Sequence, residues 1–298
     1  MQNGLQGRSI ERTLVRFETT FLSYSNKIKV FRLPENSVTV HRSSCLGAGS
    51  FGDVFKGTYK NRDVAVKVFR KFVWGEADEK NQEKFKEIMK EFKLMLAVKH
   101  NNTIRVYGFI LYEGCLGLVM EYANGGTLKD LISNPDFRRN VGLQYSILLN
   151  VAEGLRHIHI NKIMHRDIKP ENILICQYPN GSIVAKITDL GEGRFVEATG
   201  SFTDGRGTFK YMDPQTIKGA YNASCDFYSY CCVAYEVLTG DCLPNISLGE
   251  LFKLVQNRRP EFPDSIPSEL KSVLTSGFEE DLEKRADWYD TIEAISKT

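Results

Sequence analysis

A chain of 298 residues with 42% hydrophobic content can bury a sizeable core, which excludes a disordered polypeptide. Its 39 Lys and Arg against 37 Asp and Glu leave a net charge of +2, so no global basic field marks a nucleic-acid binder and partners have to be read from sites. Seven cysteines, odd in number, form no C-x-x-C pair and sit mostly in apolar stretches, which favours reduced thiols in the cytoplasm over a disulfide framework or a cysteine metal site.

Residues 1–10 are polar, and no segment reaches the roughly 18 consecutive apolar residues that a membrane span requires. The expectation is a chain that is neither secreted nor membrane-spanning. Residues 1–35 are read as a flank, with Ile10, Leu14, Phe17 and Phe21 spaced as one face of a helix that could dock on the main domain.

From Ser37 the pattern turns to strands. Val38 and Val40 alternate with polar residues, and residues 53–59 and 63–69 form two further runs joined by a turn near Asn61. Phe85, Ile88, Met89, Phe92, Met95 and Leu96 then recur at helical spacing with lysines and glutamates opposite, which predicts an amphipathic helix. Strand-like runs over 104–111 and 115–122 follow, separated by Gly114. After Gly125-Gly126 the character changes: long buried helices are predicted over 143–159 and 227–238, and helical pieces follow between prolines 260, 263 and 267. A strand-rich first part and a helix-rich second part imply an α+β chain of two lobes with a cleft, a common place for a ligand.

Three motifs carry chemistry. Leu46-Gly47-Ala48-Gly49-Ser50-Phe51-Gly52-Asp53-Val54 holds G-x-G-x-x-G-x-V between two predicted strands, and such glycines let the backbone approach phosphates without a Cβ in the way. A dinucleotide site uses the same glycines but needs a helix directly after them, whereas Val54-Phe55-Lys56 continues as strand. Lys67, in Val64-Ala65-Val66-Lys67-Val68, is either an edge lysine reaching water or a cation held against phosphate charge. His165-Arg166-Asp167-Ile168-Lys169-Pro170-Glu171-Asn172 is the sharpest signal, since five specified residues in this pattern arise by chance in roughly one chain in 10,000.

On these motifs the chain resembles the eukaryotic protein kinases, over about residues 38–296. The resemblance implies a bilobal α+β fold with a small antiparallel-sheet N-lobe plus one helix and a larger, mostly helical C-lobe. It divides residues 36–298 into an N-lobe and hinge over 36–123 and a C-lobe over 124–298. It implies that Asp167 accepts the proton of the attacking hydroxyl, that Lys169 stabilises the transferring phosphoryl group, and that Asn172 holds one Mg²⁺. Asp189-Leu190-Gly191 stands 22 residues after Asp167 in the place of the family's D-F-G, which makes Asp189 the second metal ligand. Glu91 is chosen over Glu83 and Glu87 as the partner of Lys67, nine residues before His100. The resemblance also assigns ATP contacts to Leu46, Gly47, Gly49 and Gly52 in the glycine loop, and makes Val54, Ala65 and Leu174 the adenine sandwich. Met120 becomes a gatekeeper ahead of hinge residues Glu121 and Ala123. The cofactors implied are ATP and Mg²⁺, with Mn²⁺ as a substitute.

Met95, Val106, His165 and Leu190 resemble the family's apolar stack anchored by Asp226, while His157 and His159 read as packed core residues. Met212-Asp213-Pro214-Gln215 departs from the usual A-P-E, so a neutral Gln215–Arg285 hydrogen bond is expected where the family has an ion pair. Lys169 and Gly207-Thr208 imply serine/threonine specificity, and the strand and hinge residues resemble the tyrosine-kinase-like group, with its receptor-interacting and mixed-lineage kinases. A protein substrate is implied, no nucleic acid, and a regulatory partner for the flank. Thr203 is the expected activating phosphorylation site, beside Thr199 and Ser201, with Arg166 to hold its phosphate and Thr208 structural. The competing reading is a pseudokinase switch like the mixed-lineage kinase domain-like proteins, but those lose catalytic residues and Lys67, Glu91, Asp167, Asn172 and Asp189 are all present.

Overall fold

The computed structural model describes residues 32–34, 36–48, 52–70, 79–191, 193–195, 209–218, 222–244 and 260–298. The expected helix over 10–21 and the proposed phosphorylation sites at 199–208 lie outside these. The chain divides into one unit of residues 1–96 and 105–122 and a second of residues 97–104 and 123–298.

The first unit is built on an antiparallel sheet of β1 (Val38–Ala48), β2 (Asp53–Tyr59), β3 (Arg62–Phe69), β4 (Val106–Tyr112) and β5 (Cys115–Glu121), in the order β1-β2-β3-β5-β4. Two tight hairpins set its register. Lys60 and Asn61 both take positive φ between the paired Tyr59 and Arg62, and Glu113 and Gly114 do so between Tyr112 and Cys115. Positive φ at both central residues is what a two-residue turn matched to strand twist requires. Helix α1 (Glu79–Ala97) buries Ile88, Met89, Phe92 and Met95 of the expected stripe, while Leu96 is half-buried and Leu94, outside that stripe, is fully buried; Phe92 meets Phe109 of β4 edge-on at 6.0 Å. Side chains alternate across β3: Val64, Val66 and Val68 join Leu33, Ile110 and Val119 in one apolar cluster, while Lys67 points to the other face.

In the second unit, α2 (Leu128–Ile132) and α3 (Pro135–Arg139) lead into α4 (Val141–Ile160), whose first turn is capped by Asn140 accepting from the Leu143 amide at 3.0 Å. The short β6 (Ile163–Met164) pairs with β9 (Arg194–Phe195), and β7 (Ile173–Gln177) pairs with β8 (Ile183–Ile187). Helix α5 (Ser224–Thr239) is buried on almost every side and stops at Gly240, whose φ of 72° is the left-handed cap that glycine adopts without strain. Among the described residues, helices α6 (Ser268–Ser276) and α7 (Trp288–Ser296) follow, with Trp288 packed edge-on against Phe227 and Tyr230 of α5.

Residues 97–104 belong to this second unit because they are stitched to β8. The Ile187 amide donates to Asn102 O at 2.9 Å, Ile104 N to Ile187 O at 2.8 Å, and Asn102 Nδ2 to Ala185 O at 3.1 Å. Expected strand 104–111 therefore starts at Val106 instead, since Ile104 spends its amide on β8. Gly154 of α4 makes this possible: a Cβ there would meet Asn102 O and Ile187 Cδ1, both at 2.8 Å.

Candidate active site

The site residues of the first unit gather on the inner face of the sheet. Lys67 Nζ and Glu91 Oε1 are 2.7 Å apart, with side chains only 12% and 7% exposed. Glu83 and Glu87 are exposed on the same helix, so of the three glutamates only Glu91 turns toward the strand. Burial raises the cost of each charge, and the close partner offsets it. Val54 is the register partner of Lys67, and Ala65 is the partner of the buried Met120, so the adenine-sandwich candidates stand on neighbouring strands. Glu121 closes the end of β5, its amide donating to Arg105 O at 2.8 Å.

The glycines of the loop have different reasons to be glycine. At Gly52 a Cβ would sit 2.1 Å from Val68 O, inside backbone, so the chain can pass there only without a side chain. At Gly47 a Cβ would meet no atom within 4 Å, and Leu46 beside it is 44% exposed. Gly49 lies outside the described residues.

In the second unit the segment after β6 is held by a single buried carboxylate. Asp226, 1% exposed at the start of α5, accepts from the amides of His165 and Arg166 and from His159 Nε2, each at 2.8 Å. Burial pushes its carboxyl up, but the His159 bond, the nearby imidazoles and the Arg166 amide bring it below the usual carboxylate range. These bonds fix Arg166 at φ 72°, a left-handed conformation that a non-glycine residue keeps only when its surroundings hold it there. His159, expected as a plain core residue, is therefore packed and also bonded on both ring nitrogens: Trp288 Nε1 donates to Nδ1 at 2.7 Å.

The carboxylate of Asp167 projects from the segment so fixed. Lys169 Nζ reaches its Oδ2 at 2.6 Å and Asn172 Nδ2 the same oxygen at 2.9 Å, while Asn172 Nδ2 also donates to Asp167 O at 2.8 Å. All bonds from these neighbours to the carboxylate fall on Oδ2, which leaves Oδ1 for an incoming group. His165 is fully buried and ties the segment to the residue before Asp189: its Nε2 donates to Thr188 O at 2.9 Å and its Nδ1 accepts from the Asp167 amide at 3.3 Å. Both bonds are satisfied by one neutral tautomer. Asp189 itself takes φ 63° and accepts from the Gly191 amide at 3.3 Å. Leu174 is half-buried on β7, opposite Lys186, and Ala123 opens the second unit.

Asn172 uses its Nδ2 twice on Asp167, so neither bond occupies its amide oxygen. Amide and carboxylate oxygens such as those of Asn172 and Asp189 are donor types that suit Mg²⁺, an ion usually held by one or two carboxylates together with substrate phosphates. Among the described residues no cluster of three His, Cys, Asp or Glu could hold a metal unaided. No helix of the described residues is long and apolar enough to cross a membrane.

One expectation is corrected. The Arg285 guanidinium does not replace the family's ion pair by a neutral bond to Gln215: its Nη1 lies 2.5 Å from Asp213 Oδ2 and 2.9 Å from Ser224 O, and its Nε donates to Glu279 O at 3.0 Å. The acid stands two residues earlier than the pattern places it, and Asp213 also accepts from the Gln215 amide at 2.9 Å. Sequence reading missed this partner although Asp213 lies in the same tetrapeptide. It also missed Glu236, which accepts from Lys210 Nζ at 3.0 Å and from Tyr211 Oη at 2.9 Å and anchors the segment ahead of Asp213 to α5.

Residues 40–294 match the model of the protein kinase domain. A probable serine/threonine-protein kinase of Dictyostelium discoideum is 32% identical over 264 residues, which cover 85% of this chain and 19% of that protein. The serine/threonine-protein kinases STY17 and STY46 of Arabidopsis thaliana are each 28% identical over 257 residues, covering 85% of this chain and 43% of theirs. The chain thus spans less than half the length of these curated relatives.

Proposed function

This chain belongs to the protein kinase family, and from that premise we propose that it transfers the γ-phosphate of ATP to serine or threonine hydroxyls of a protein substrate. The observation that carries the reading is the Asp167 carboxylate, pinned through Oδ2 by Lys169 and Asn172 with Oδ1 left for a hydroxyl. As the substrate oxygen bonds to the γ-phosphorus, the bond from that phosphorus to the β–γ bridging oxygen breaks, ADP leaves, and the hydroxyl proton passes to Asp167. Lys169, bonded to Asp167, has its ammonium placed to offset charge on the phosphoryl oxygens. Mg²⁺, held by Asn172 and Asp189, would supply neutralisation of phosphate charge. Lys67, oriented by Glu91, is the cation for the remaining phosphates, and the glycine loop offers backbone amides. Val54, Ala65, Met120, Glu121, Ala123 and Leu174 are the adenine contacts this reading assigns.

Serine/threonine choice rests on Lys169 two residues after the base, and the similarity to serine/threonine-protein kinases supports it. The same reading puts the chain in the tyrosine-kinase-like group, in a reducing cytoplasmic setting, with phosphorylation at Thr203 as an activating event. Calorimetric Mg²⁺-ATP binding beside single-turnover transfer, with phosphoamino-acid analysis of the product, tests the proposal. Binding without transfer would make the protein a nucleotide-dependent switch instead.

A further inference from the structure

The sheet of the first unit is apolar on both faces. Antiparallel sheets that face water on one side carry polar residues there. Here the inner face packs on α1, and the outer face carries Val64, Val66, Val68, Ile110 and Val119, each no more than 7% exposed, with Phe55, Tyr112 and Cys115 partly buried around them. Among the described residues outside the strands, only Leu33 lies in this cluster. Beside it the same face holds a cavity of about 370 Å³ with an apolar floor of Phe55, Val68, Tyr112 and Cys115, large enough for bulky side chains. Its rim carries Arg42 and Arg70, whose side chains stay 62% and 65% exposed although they pair with Glu113 and Asp53.

We infer that this face is the docking site of the chain's own residues 10–21. Three observations select that occupant. The chain enters on this face: the Leu33 amide donates to Phe109 O at 2.9 Å and its side chain sits in the cluster, so the preceding residues are tethered beside the cavity at high effective concentration. Ile10, Leu14, Phe17 and Phe21 recur at helical spacing and give one apolar stripe, which needs an apolar surface to cover it. Glu11 and Glu18 stand seven residues apart beside that stripe, where they can share the five-donor guanidinium groups of Arg42 and Arg70. The tether is long enough, because residues 22–32 extend to roughly 35 Å and five strands are only about 20 Å across.

The test places a photoreactive benzoyl-phenylalanine at position 17 of the full chain and irradiates a mixture of isotopically heavy and light protein. Docking in cis gives crosslinks within one molecule to Phe55, Val68, Tyr112 or Cys115. Heavy-to-light crosslinks would assign the face to a second copy, and crosslinks elsewhere or none would overturn the proposal. In parallel, Leu14→Asp with Phe17→Asp should raise thiol labelling of Cys115 at least about 10-fold while Cys45 labelling stays constant, a scale set by the loss of about 1.4 kcal/mol or more of docking energy. An unchanged Cys115 rate contradicts docking.

Discussion

Arg285 and Asp213 form a buried ion pair at 2.5 Å, with side chains 2% and 0% exposed, and this pair takes the place expected of Gln215. The guanidinium also bonds the carbonyls of Ser224 and Glu279 and lies 5.6 Å from the centre of the Tyr228 ring, so it joins the segment ahead of α5 to the turn before α7. Asp213→Ala strands a buried cation and should cost about 3 to 5 kcal/mol in denaturant titrations. Gln215→Glu, by contrast, should not raise the melting temperature, because Arg285 is already paired and the new carboxylate would stand close to Asp213. A clear rise with Gln215→Glu that disappears when Arg285 is also replaced would contradict the assignment.

Asp226 makes a pH prediction with a definite sign. Its folded carboxyl lies below the usual range despite the opposing effect of burial, so its contribution is fully present above the unfolded carboxyl pKa and is lost as pH falls through the folded one. Asp226→Ala leaves the His165 and Arg166 amides and His159 without their acceptor, which should cost at least about 3 kcal/mol near neutrality. Urea titrations across pH should show the gap between wild type and variant narrowing under acid. A gap that widens under acid would mean that Asp226 is not ionised in the fold.

The two loop glycines should separate stability from ligand binding. Gly52→Ala forces a Cβ into Val68 O and should destabilise the fold by about 1 to 3 kcal/mol. Gly47→Ala meets nothing and should leave stability within about 0.5 kcal/mol of wild type. Under the proposed function it should still raise the apparent Kd for Mg²⁺-ATP, since the added methyl would stand where the phosphates approach. Equal stability losses in the two variants would refute the distinction.

The ion pair of Lys67 and Glu91 should respond asymmetrically. Lys67→Met removes the proposed phosphate cation and should lower kcat/KM for ATP by at least about 100-fold. Glu91→Gln keeps a hydrogen-bond acceptor for the Lys67 ammonium at 2.7 Å and should cost less, on the order of 10-fold. Steady-state kinetics at saturating peptide substrate measure both, and a larger loss for Glu91→Gln would reverse the roles.

Much of this was legible in the sequence because local pattern and contact coincide. The stripe from Ile88 to Met95 faces the sheet as its spacing requires, and Glu91 lies on that inward face while Glu83 and Glu87 do not. The segment from His165 to Asn172 folds on itself, so its motif carries its geometry. The contacts that escaped the sequence join residues far apart in the chain. Asp213 and Arg285 are 72 residues apart and His159 and Trp288 are 129 apart, and nothing local in either strip states the pairing. The start of β4 is hidden from the sequence for the same reason: β8, more than 80 residues onward, claims the amide of Ile104.

The central claim rests on Asp167 as the proton acceptor. Asp167→Asn keeps nearly the same shape and can still meet Lys169 and Asn172, but it cannot take a proton from a hydroxyl. Single-turnover phosphorylation by wild type and Asp167→Asn, beside calorimetric Mg²⁺-ATP binding, measures the difference directly. The account predicts phosphoserine or phosphothreonine from the wild type, a rate at least about 100-fold lower in the variant, and an ATP affinity that hardly changes. A wild type that binds ATP but transfers no phosphate, or a variant that keeps full rate, would contradict it.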